Sequence, residues 1–134
     1  MINLAIVGCG KHASNFHVPS LRRLKKIYKI IGLFDANLSQ AKTLSKKYKI
    51  KKIYKSYRAM LADKNVDVIN ICSPAKFHSK QIIEAIKADK NVMVEKPMVL
   101  KSADLKEIIK INLKKKRKSY VYSNKTLDMK LKIY

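Results

Sequence analysis

The six residues that begin at Gly8 have the spacing G-x-G-x-x-A and directly follow the apolar, β-prone residues 2–7. This spacing is typical of a loop that holds a dinucleotide pyrophosphate. Gly8 permits a tight turn, Gly10 lets the backbone approach the phosphates, and Ala13 keeps the next helix close to its strand. The anion then lies at a helix N-terminus, where unpaired N–H groups and the helix dipole favour negative charge. An ordinary glycine turn is the alternative.

An acidic residue, Asp35, ends the β-prone run KIIGLFD and lies 22 residues after Ala13. A carboxylate at about this distance hydrogen-bonds the ribose 2′-hydroxyl of a dinucleotide, and its charge repels a 2′-phosphate. The pattern therefore predicts NAD as the cofactor, with NADP less favoured. Two alternatives stay open: Asp35 only caps the following turn, or a nearby base such as Lys42 accepts a phosphate.

The other residues of the glycine loop are chemically active types. We expect Lys11 and His12 to frame the phosphates, with a solvated role as the alternative for Lys11, and Cys9 to lie inside the loop beside the cofactor. Cys9 and Cys72 both end predicted strands that are neighbours in the standard order. One hypothesis is an oxidisable pair that blocks cofactor binding; the alternative is two small side chains packed in tight places.

A third chemical signal is the tripeptide Glu95-Lys96-Pro97 after the apolar residues 91–94. Ligands of open α/β sheets bind at the carboxyl ends of strands, so Lys96 is expected to face a cleft. There it can exchange a proton with a substrate hydroxyl or anchor the oxygen by its charge, whereas a solvated lysine before a turn is the alternative. Glu95 would orient Lys96 or contact a ribose. Pro97 fixes the turn, and the preceding peptide bond is open to the cis form.

The elements that must position these residues alternate along the chain. Hydrophobic runs predict strands, and apolar residues at helical spacing predict helices between them. The predicted strands are residues 2–7, 29–35, 50–54, 67–72, 91–95 and 119–122, and the helices span about 14–27, 38–48, 56–63, 78–88 and 102–113. We expect Asn37 or Ser39 to cap the second helix and Ser102 the fifth. The alternation predicts an α/β, Rossmann-type doubly wound parallel sheet over residues 1–122, followed by a short basic tail at 123–134.

The 134 residues suit one domain, and their net charge of +22 is unusual. Residues 1–100 carry 20 basic and 6 acidic groups, and residues 101–134 carry 11 and 3. This spread favours a compositional bias over a polyanion site, so we do not expect nucleic acid as a partner. Two cysteines make no disulfide framework, and no apolar run is long enough to span a membrane. We expect a cytoplasmic protein with no metal site and no membrane partner.

The stretches VDVINICSPAKFH and NVMVEKP, together with the glycine loop, closely resemble the glucose–fructose oxidoreductase/inositol dehydrogenase (Gfo/Idh/MocA) family. The resemblance runs from Ile2 to about Leu113. It implies that Ser73, Pro74 and His78 line the nicotinamide side of a cofactor site. From the residues alone, Ser73 and Pro74 pass as the start of a helix, and His78 as an ordinary helix residue.

The resemblance also implies an NAD-dependent oxidoreductase that acts on a sugar, polyol or sugar-nucleotide hydroxyl, with a homo-oligomer left open. Family members carry a second domain for the substrate, for which this chain has no room. We therefore expect a truncated product or one half of a split enzyme. Two alternatives stay open. One is a non-catalytic NAD(H)-binding sensor or partner module, and the other is a basic Rossmann protein that binds a polyanion through the run LKKKRK at residues 113–118.

Overall fold

A computed structural model describes residues 1–116 and 119–122 and shows strands and helices in alternation. The strands are β1 (Ile2–Val7), β2 (Tyr28–Phe34), β3 (Val68–Ile71), β4 (Asn91–Glu95) and β5 (Ser119–Tyr122). The helices are α1 (Val18–Arg23), α2 (Leu38–Tyr48), α3 (Tyr57–Ala62), α4 (His78–Lys87) and α5 (Ser102–Lys115). A π-helical turn (Ala13–His17) precedes α1, and a 3-10 turn (Ala75–Phe77) precedes α4.

The strands form one parallel sheet in the order β2-β1-β3-β4-β5. The chain passes from β1 to β2 on one side, then crosses to β3 on the other. Such a reversal opens a crevice at the carboxyl ends of the two strands that flank it. The doubly wound Rossmann-type fold that the sequence predicts is confirmed, and its crevice lies where β1 and β3 end.

Hydrophobic cores cover both faces of this sheet. Leu4 and Ile6 of β1 pack on one face, in a cluster with side chains of α1 and α2. Ala5 and Val7 point to the other face, where they join side chains of α3, α4 and α5. All four residues of β3 are buried, as expected for a central strand covered on both sides.

Two predicted elements differ from the structure. Residues 50–54 form no strand, because only Ile53 makes a bridge, to Leu33. In this bridge the N–H of Leu33 donates to the carbonyl of Lys52, and the N–H of Tyr54 donates to the carbonyl of Leu33. The first helix ends at Arg23 rather than near residue 27. After it, the N–H of Tyr28 donates a hydrogen bond to the carbonyl of Leu24. The sequence also suggests that Pro19 interrupts this helix early, and in the structure the π-helical turn gives way to α1 directly before Pro19, which lies in the first turn of α1.

The helix caps follow the sequence in part. The side chain of Asn37 accepts a hydrogen bond from the N–H of Ser39 at 3.1 Å, so Asn37 is the cap of α2. Ser102, the predicted cap of the fifth helix, is instead the first residue of α5.

No helix among the described residues has the length and apolarity needed to cross a membrane. The predicted basic tail at 123–134 lies outside the described residues.

Candidate functional site

A cavity of about 600 Å³ opens at the carboxyl ends of the strands. Ten of the thirteen residues that the sequence predicts for a cofactor site line it: Gly8, Gly10, Lys11, His12, Asp35, Ser73, Pro74, His78, Glu95 and Lys96. The other three lie beside it. Cys9 and Ala13 are buried beneath the glycine loop, and Pro97 is exposed after the rim lysine.

Gly8 has a backbone conformation and surroundings that only glycine tolerates. Its φ is +87°, a region that L side chains rarely adopt. A Cβ at this position would lie 2.6 Å from the carbonyl carbon of Cys72 and 2.7 Å from the Cα of Ser73. The glycine loop therefore packs directly against the segment that follows β3.

Gly10 is a glycine for a different reason. A Cβ there would meet, among the described atoms, only the flexible side chain of Gln40, whose Oε1 is 3.3 Å away. The backbone at Gly10 therefore faces open cavity instead of protein. This space fits a pyrophosphate that approaches the main chain at the start of a helix.

Asp35 ties the glycine loop to the turn between β2 and α2. Its Oδ2 accepts the N–H of Cys9 at 2.7 Å, and its Oδ1 accepts the N–H of Asn37 at 2.7 Å. The carboxylate also lines the cavity, and each oxygen keeps a further lone pair. Tethering this turn and holding a ribose hydroxyl are therefore compatible roles.

The two cysteines are free thiols whose surroundings disfavour the thiolate. Burial, with the charge of Asp35, raises the pKa of Cys9 to about 12. Burial and the charge of Glu95 also raise the pKa of Cys72 well above its ordinary value. Because the thiolate is the form that oxidises, these surroundings favour packing over an oxidisable pair.

Glu95 is the centre of a buried polar network. The Nε2 of His17 lies 2.5 Å from Glu95 Oε1, and His12 approaches the same oxygen at 3.6 Å. Asn70 donates to the Nδ1 of His17 at 2.9 Å, which leaves the proton on Nε2 to be donated to Glu95. The other carboxylate oxygen accepts the backbone N–H of Lys96 at 3.2 Å.

The charge of Glu95 is stabilised within this network. Burial raises the pKa of Glu95, but the hydrogen bond from His17, the nearby His12 and the backbone N–H of Lys96 outweigh burial and hold the pKa below its ordinary value. A carboxylate is thus held against the base of the turn that carries Lys96. Lys96 itself is exposed on the rim of the cavity, and the Lys96–Pro97 bond is cis.

His78 joins the segments that follow β3 and β4. The ring is buried, with Nε2 at 2.7 Å from the carbonyl oxygen of Ser73 and Nδ1 at 2.8 Å from that of Pro97. Carbonyl oxygens only accept hydrogen bonds, so a ring N–H of His78 is the donor in this arrangement. Although His78 borders the cavity, its polar atoms are therefore occupied by the protein.

The sequence analysis assigns no role to three residues that shape this site, namely His17, Asn70 and Gln81. Asn70 completes the network at Glu95, and Gln81 accepts the hydroxyl of Ser73 at 2.5 Å. The one available signal was a polar residue inside the apolar run DVINIC, because a buried amide needs a partner.

The model of an oxidoreductase family, described as an NAD-binding Rossmann fold and labelled GFO_IDH_MocA, matches residues 2–123. D-glucoside 3-dehydrogenase of Escherichia coli is 31% identical over 107 residues, which are 80% of this chain and 30% of that protein. The uncharacterised protein YMR315W of Saccharomyces cerevisiae is 34% identical over 112 residues, or 82% of this chain and 32% of that protein.

A solved structure with a similar fold contains a bound dinucleotide. The WlbA dehydrogenase from Chromobactrium violaceum, in complex with NADH and UDP-GlcNAcA, superposes with a TM-score of 0.84 and 30% identity. The superposition covers 90% of this chain and 34% of that one. The chain thus spans about a third of the length of the relatives it matches.

Proposed function

Because the chain belongs to the Gfo/Idh/MocA oxidoreductase family, we propose that it is the NAD-binding part of an enzyme that oxidises or reduces a sugar, polyol or sugar-nucleotide hydroxyl. The names of two relatives support this substrate class: one is a D-glucoside 3-dehydrogenase, and the other was solved with NADH and UDP-GlcNAcA. We also place the chain in the reducing cytoplasm, since both of its cysteines are free thiols.

The observation that supports the proposal is a single cavity lined by the open backbone at Gly10, the carboxylate of Asp35 and the rim lysine, Lys96. Gly10 leaves room for the pyrophosphate, and Asp35 faces the ribose position. When NAD is bound, it supplies a hydride acceptor at this edge of the sheet. The ammonium group of Lys96 can hold the substrate oxygen and, once deprotonated, take the hydroxyl proton.

Turnover needs more than this cavity, because the substrate carbon must be held against the nicotinamide. The chain corresponds to only about a third of its relatives. We therefore propose that a second domain, on the same or another polypeptide, supplies most of the substrate contacts.

Titration of Asp35 variants with NADH and NADPH tests the cofactor assignment. Asp35→Ala should weaken NADH binding and reduce the preference for NADH over NADPH, because the ribose contact and the charge repulsion are both lost. Asp35→Asn removes the charge but keeps part of the hydrogen bonding, since its amide oxygen still accepts one backbone N–H of the loop or turn. It should keep the fold yet bind the two cofactors with similar affinities. Unchanged discrimination in both variants would refute the assignment.

A non-catalytic NAD(H)-binding module is the second candidate, and Lys96 distinguishes it from the enzyme. Lys96→Ala should leave NADH affinity within about twofold, because this side chain is exposed at the rim. In the assembled enzyme it should abolish sugar- or polyol-dependent change in NADH absorbance. A wild-type chain that binds NADH but shows no turnover with its complementing domain would favour the non-catalytic module.

A further inference from the structure

The positive charge of this chain is distributed unevenly over the fold. Residues 1–62 contain 14 lysines and arginines and a single acidic residue, Asp35, which belongs to the cofactor cavity. Residues 63–116 contain 12 basic and 7 acidic residues. The two halves of this comparison differ more in their charge balance than residues 1–100 and 101–134 do. The part of the fold built from β1, β2, α1, α2 and α3 therefore carries a large excess of positive charge.

Part of this charge surrounds a groove at the amino ends of β1 and β2. The groove has a volume of about 470 Å³, and the C-terminal ends of α1 and α2 form its sides. Six cations line it: Arg22, Lys25, Lys29, Lys49, Lys51 and Lys52. None of the described residues that line it carries a carboxylate.

Two of these cations are held by neighbouring groups. Lys52 pairs with Asp63 at 2.6 Å, and Arg22 donates to the carbonyl oxygen of Tyr48 at 3.2 Å. Lys25, Lys29 and Lys51 are exposed. The two helix C-termini at the groove each contribute about half a negative charge, which offsets only part of the total. The groove therefore has a strong positive potential that is open to solvent.

We propose that this groove binds the phosphodiester backbone of single-stranded nucleic acid. Phosphates only accept hydrogen bonds, and the charged side chains of the groove only donate them. An acidic peptide would also bring backbone N–H groups, for which the cations offer no acceptor. A flat membrane surface would reach only the rim of a concave site, whereas a flexible strand can place its phosphates inside it.

Recognition of base sequence is not expected at this groove. The ring of Tyr48, one of two tyrosines that line the groove, has Arg22 at 5.6 Å and Lys47 at 5.2 Å from its centre. Its face is thus used by cations instead of being free to stack on a base. Binding through phosphates alone is independent of sequence and depends steeply on salt.

The groove and the cofactor cavity lie at opposite edges of the sheet. Met1 and Tyr28, at the starts of β1 and β2, line the groove, whereas Val7 and Phe34, at the ends of the same strands, line the cavity. Nucleic acid and NADH should therefore bind at the same time. The proposal does not depend on the proposed oxidoreductase function.

The test compares two triple variants that both lower the net charge from +22 to +19. Lys25, Lys29 and Lys51 are changed to Gln in the groove variant. Lys87 on α4 and Lys106 and Lys110 on α5, all exposed, are changed to Gln in the control. Binding of fluorescein-labelled oligo-dT to the full chain is measured by anisotropy between about 50 and 200 mM salt.

We expect the groove variant to bind oligo-dT about tenfold more weakly at the middle of this range. The slope of log K against log salt should also become shallower by about 2, since each of the three lost phosphate contacts contributes about 0.7 to that slope. The control should stay within about twofold of the wild type, and saturating NADH should not displace the strand. Equal losses in both variants would overturn the proposal, because net charge alone would then explain binding. So would binding of phosphatidylserine vesicles without oligo-dT, or a groove variant that loses stability but no affinity.

Discussion

At the scale of single residues, the two glycines of the loop are required for different reasons. Gly8 has a positive φ and touches the backbone after β3, so its constraint belongs to the fold. Gly10 faces the cavity and meets only the end of a flexible glutamine, so its constraint belongs to the ligand. The spacing G-x-G-x-x-A does not distinguish these two requirements, whereas the structure does.

Alanine substitution separates these requirements. Gly10→Ala should leave the free energy of unfolding within about 1 kcal/mol of the wild type, because only a mobile side chain must move. NADH affinity should fall by at least about tenfold, since the new methyl group fills the space that the pyrophosphate approaches. Urea unfolding and NADH fluorescence titration measure the two effects.

Gly8→Ala is the matched control for this experiment. Its Cβ would collide with backbone atoms of Cys72 and Ser73 at a strained φ, so it should destabilise the fold by several kcal/mol. Equal stability losses in both variants would contradict the distinction between the two glycines.

His78 is expected to act through the two segments that it holds together. His78→Phe keeps a ring of similar size but leaves the carbonyl oxygens of Ser73 and Pro97 without their donor. A lost hydrogen bond of this partly buried kind costs about 1 kcal/mol, so the free energy of unfolding should fall by about that amount. NADH should bind more weakly because both segments border the cavity. A variant with wild-type stability in urea would show that these contacts are dispensable.

The positions of Gly8, Gly10 and Asp35 could be predicted because their requirements are local: a loop and a strand end at fixed spacing. The network around Glu95 could not be predicted in the same way. His17 lies 78 residues before Glu95, and Asn70 lies between them in sequence. Only the pairing of β1, β3 and β4 brings such side chains together, and periodicity contains no information on that contact.

At the scale of elements, the long apolar runs were predicted well because burial on both faces leaves little choice of structure. The segment 50–54 has a similar composition but makes one bridge to Leu33, since it lies at the edge of the sheet, where pairing is optional. The end of α1 was also misjudged. There Leu24 accepts the N–H of Tyr28, and the chain must turn at once to enter β2.

Asp63, at the end of α3, is expected to make this edge of the fold sensitive to acid. Hydrogen bonds from Lys52 and Tyr54, at 2.6 and 2.7 Å, hold its pKa well below the ordinary value near 4. A carboxyl group with a lowered pKa contributes stability above its unfolded pKa. That contribution is lost as the pH falls through the unfolded pKa towards the folded one.

Asp63→Asn isolates this contribution. Between about pH 6 and pH 3 the wild type should lose about 1 kcal/mol more stability than the variant, because only the wild type must protonate Asp63 on unfolding. Urea unfolding at the two pH values measures the difference, and the other acidic groups cancel in the comparison. Parallel losses in both proteins would show that Asp63 is not preferentially ionised in the folded state.

At the scale of the whole molecule, the chain unites two surfaces at opposite edges of one sheet. The carboxyl edge carries the glycine loop and charges of both signs, from Asp35 and Glu95 and from Lys11 and Lys96, as expected for a site that orients a ligand. The groove at the amino edge is lined by cations, with no carboxylate among its described lining residues. A ligand at the carboxyl edge should therefore stabilise the whole domain, because the glycine loop and the segments after β3 and β4 all border one cavity.

NADH should raise the melting temperature of the chain without any second domain. A ligand at about 100 times its Kd adds about 2.7 kcal/mol to the free energy of unfolding, provided that it binds only the folded state. For a domain of this size that corresponds to a rise of about 10 °C. Differential scanning fluorimetry with NADH and with NADPH measures it, and NADPH should give the smaller rise because we expect the charge of Asp35 to repel the 2′-phosphate. The Gly10→Ala variant provides the control, since its fold is intact and the space beside its glycine loop is filled. A rise in that variant equal to the wild type would mean that NADH binds somewhere other than the glycine loop.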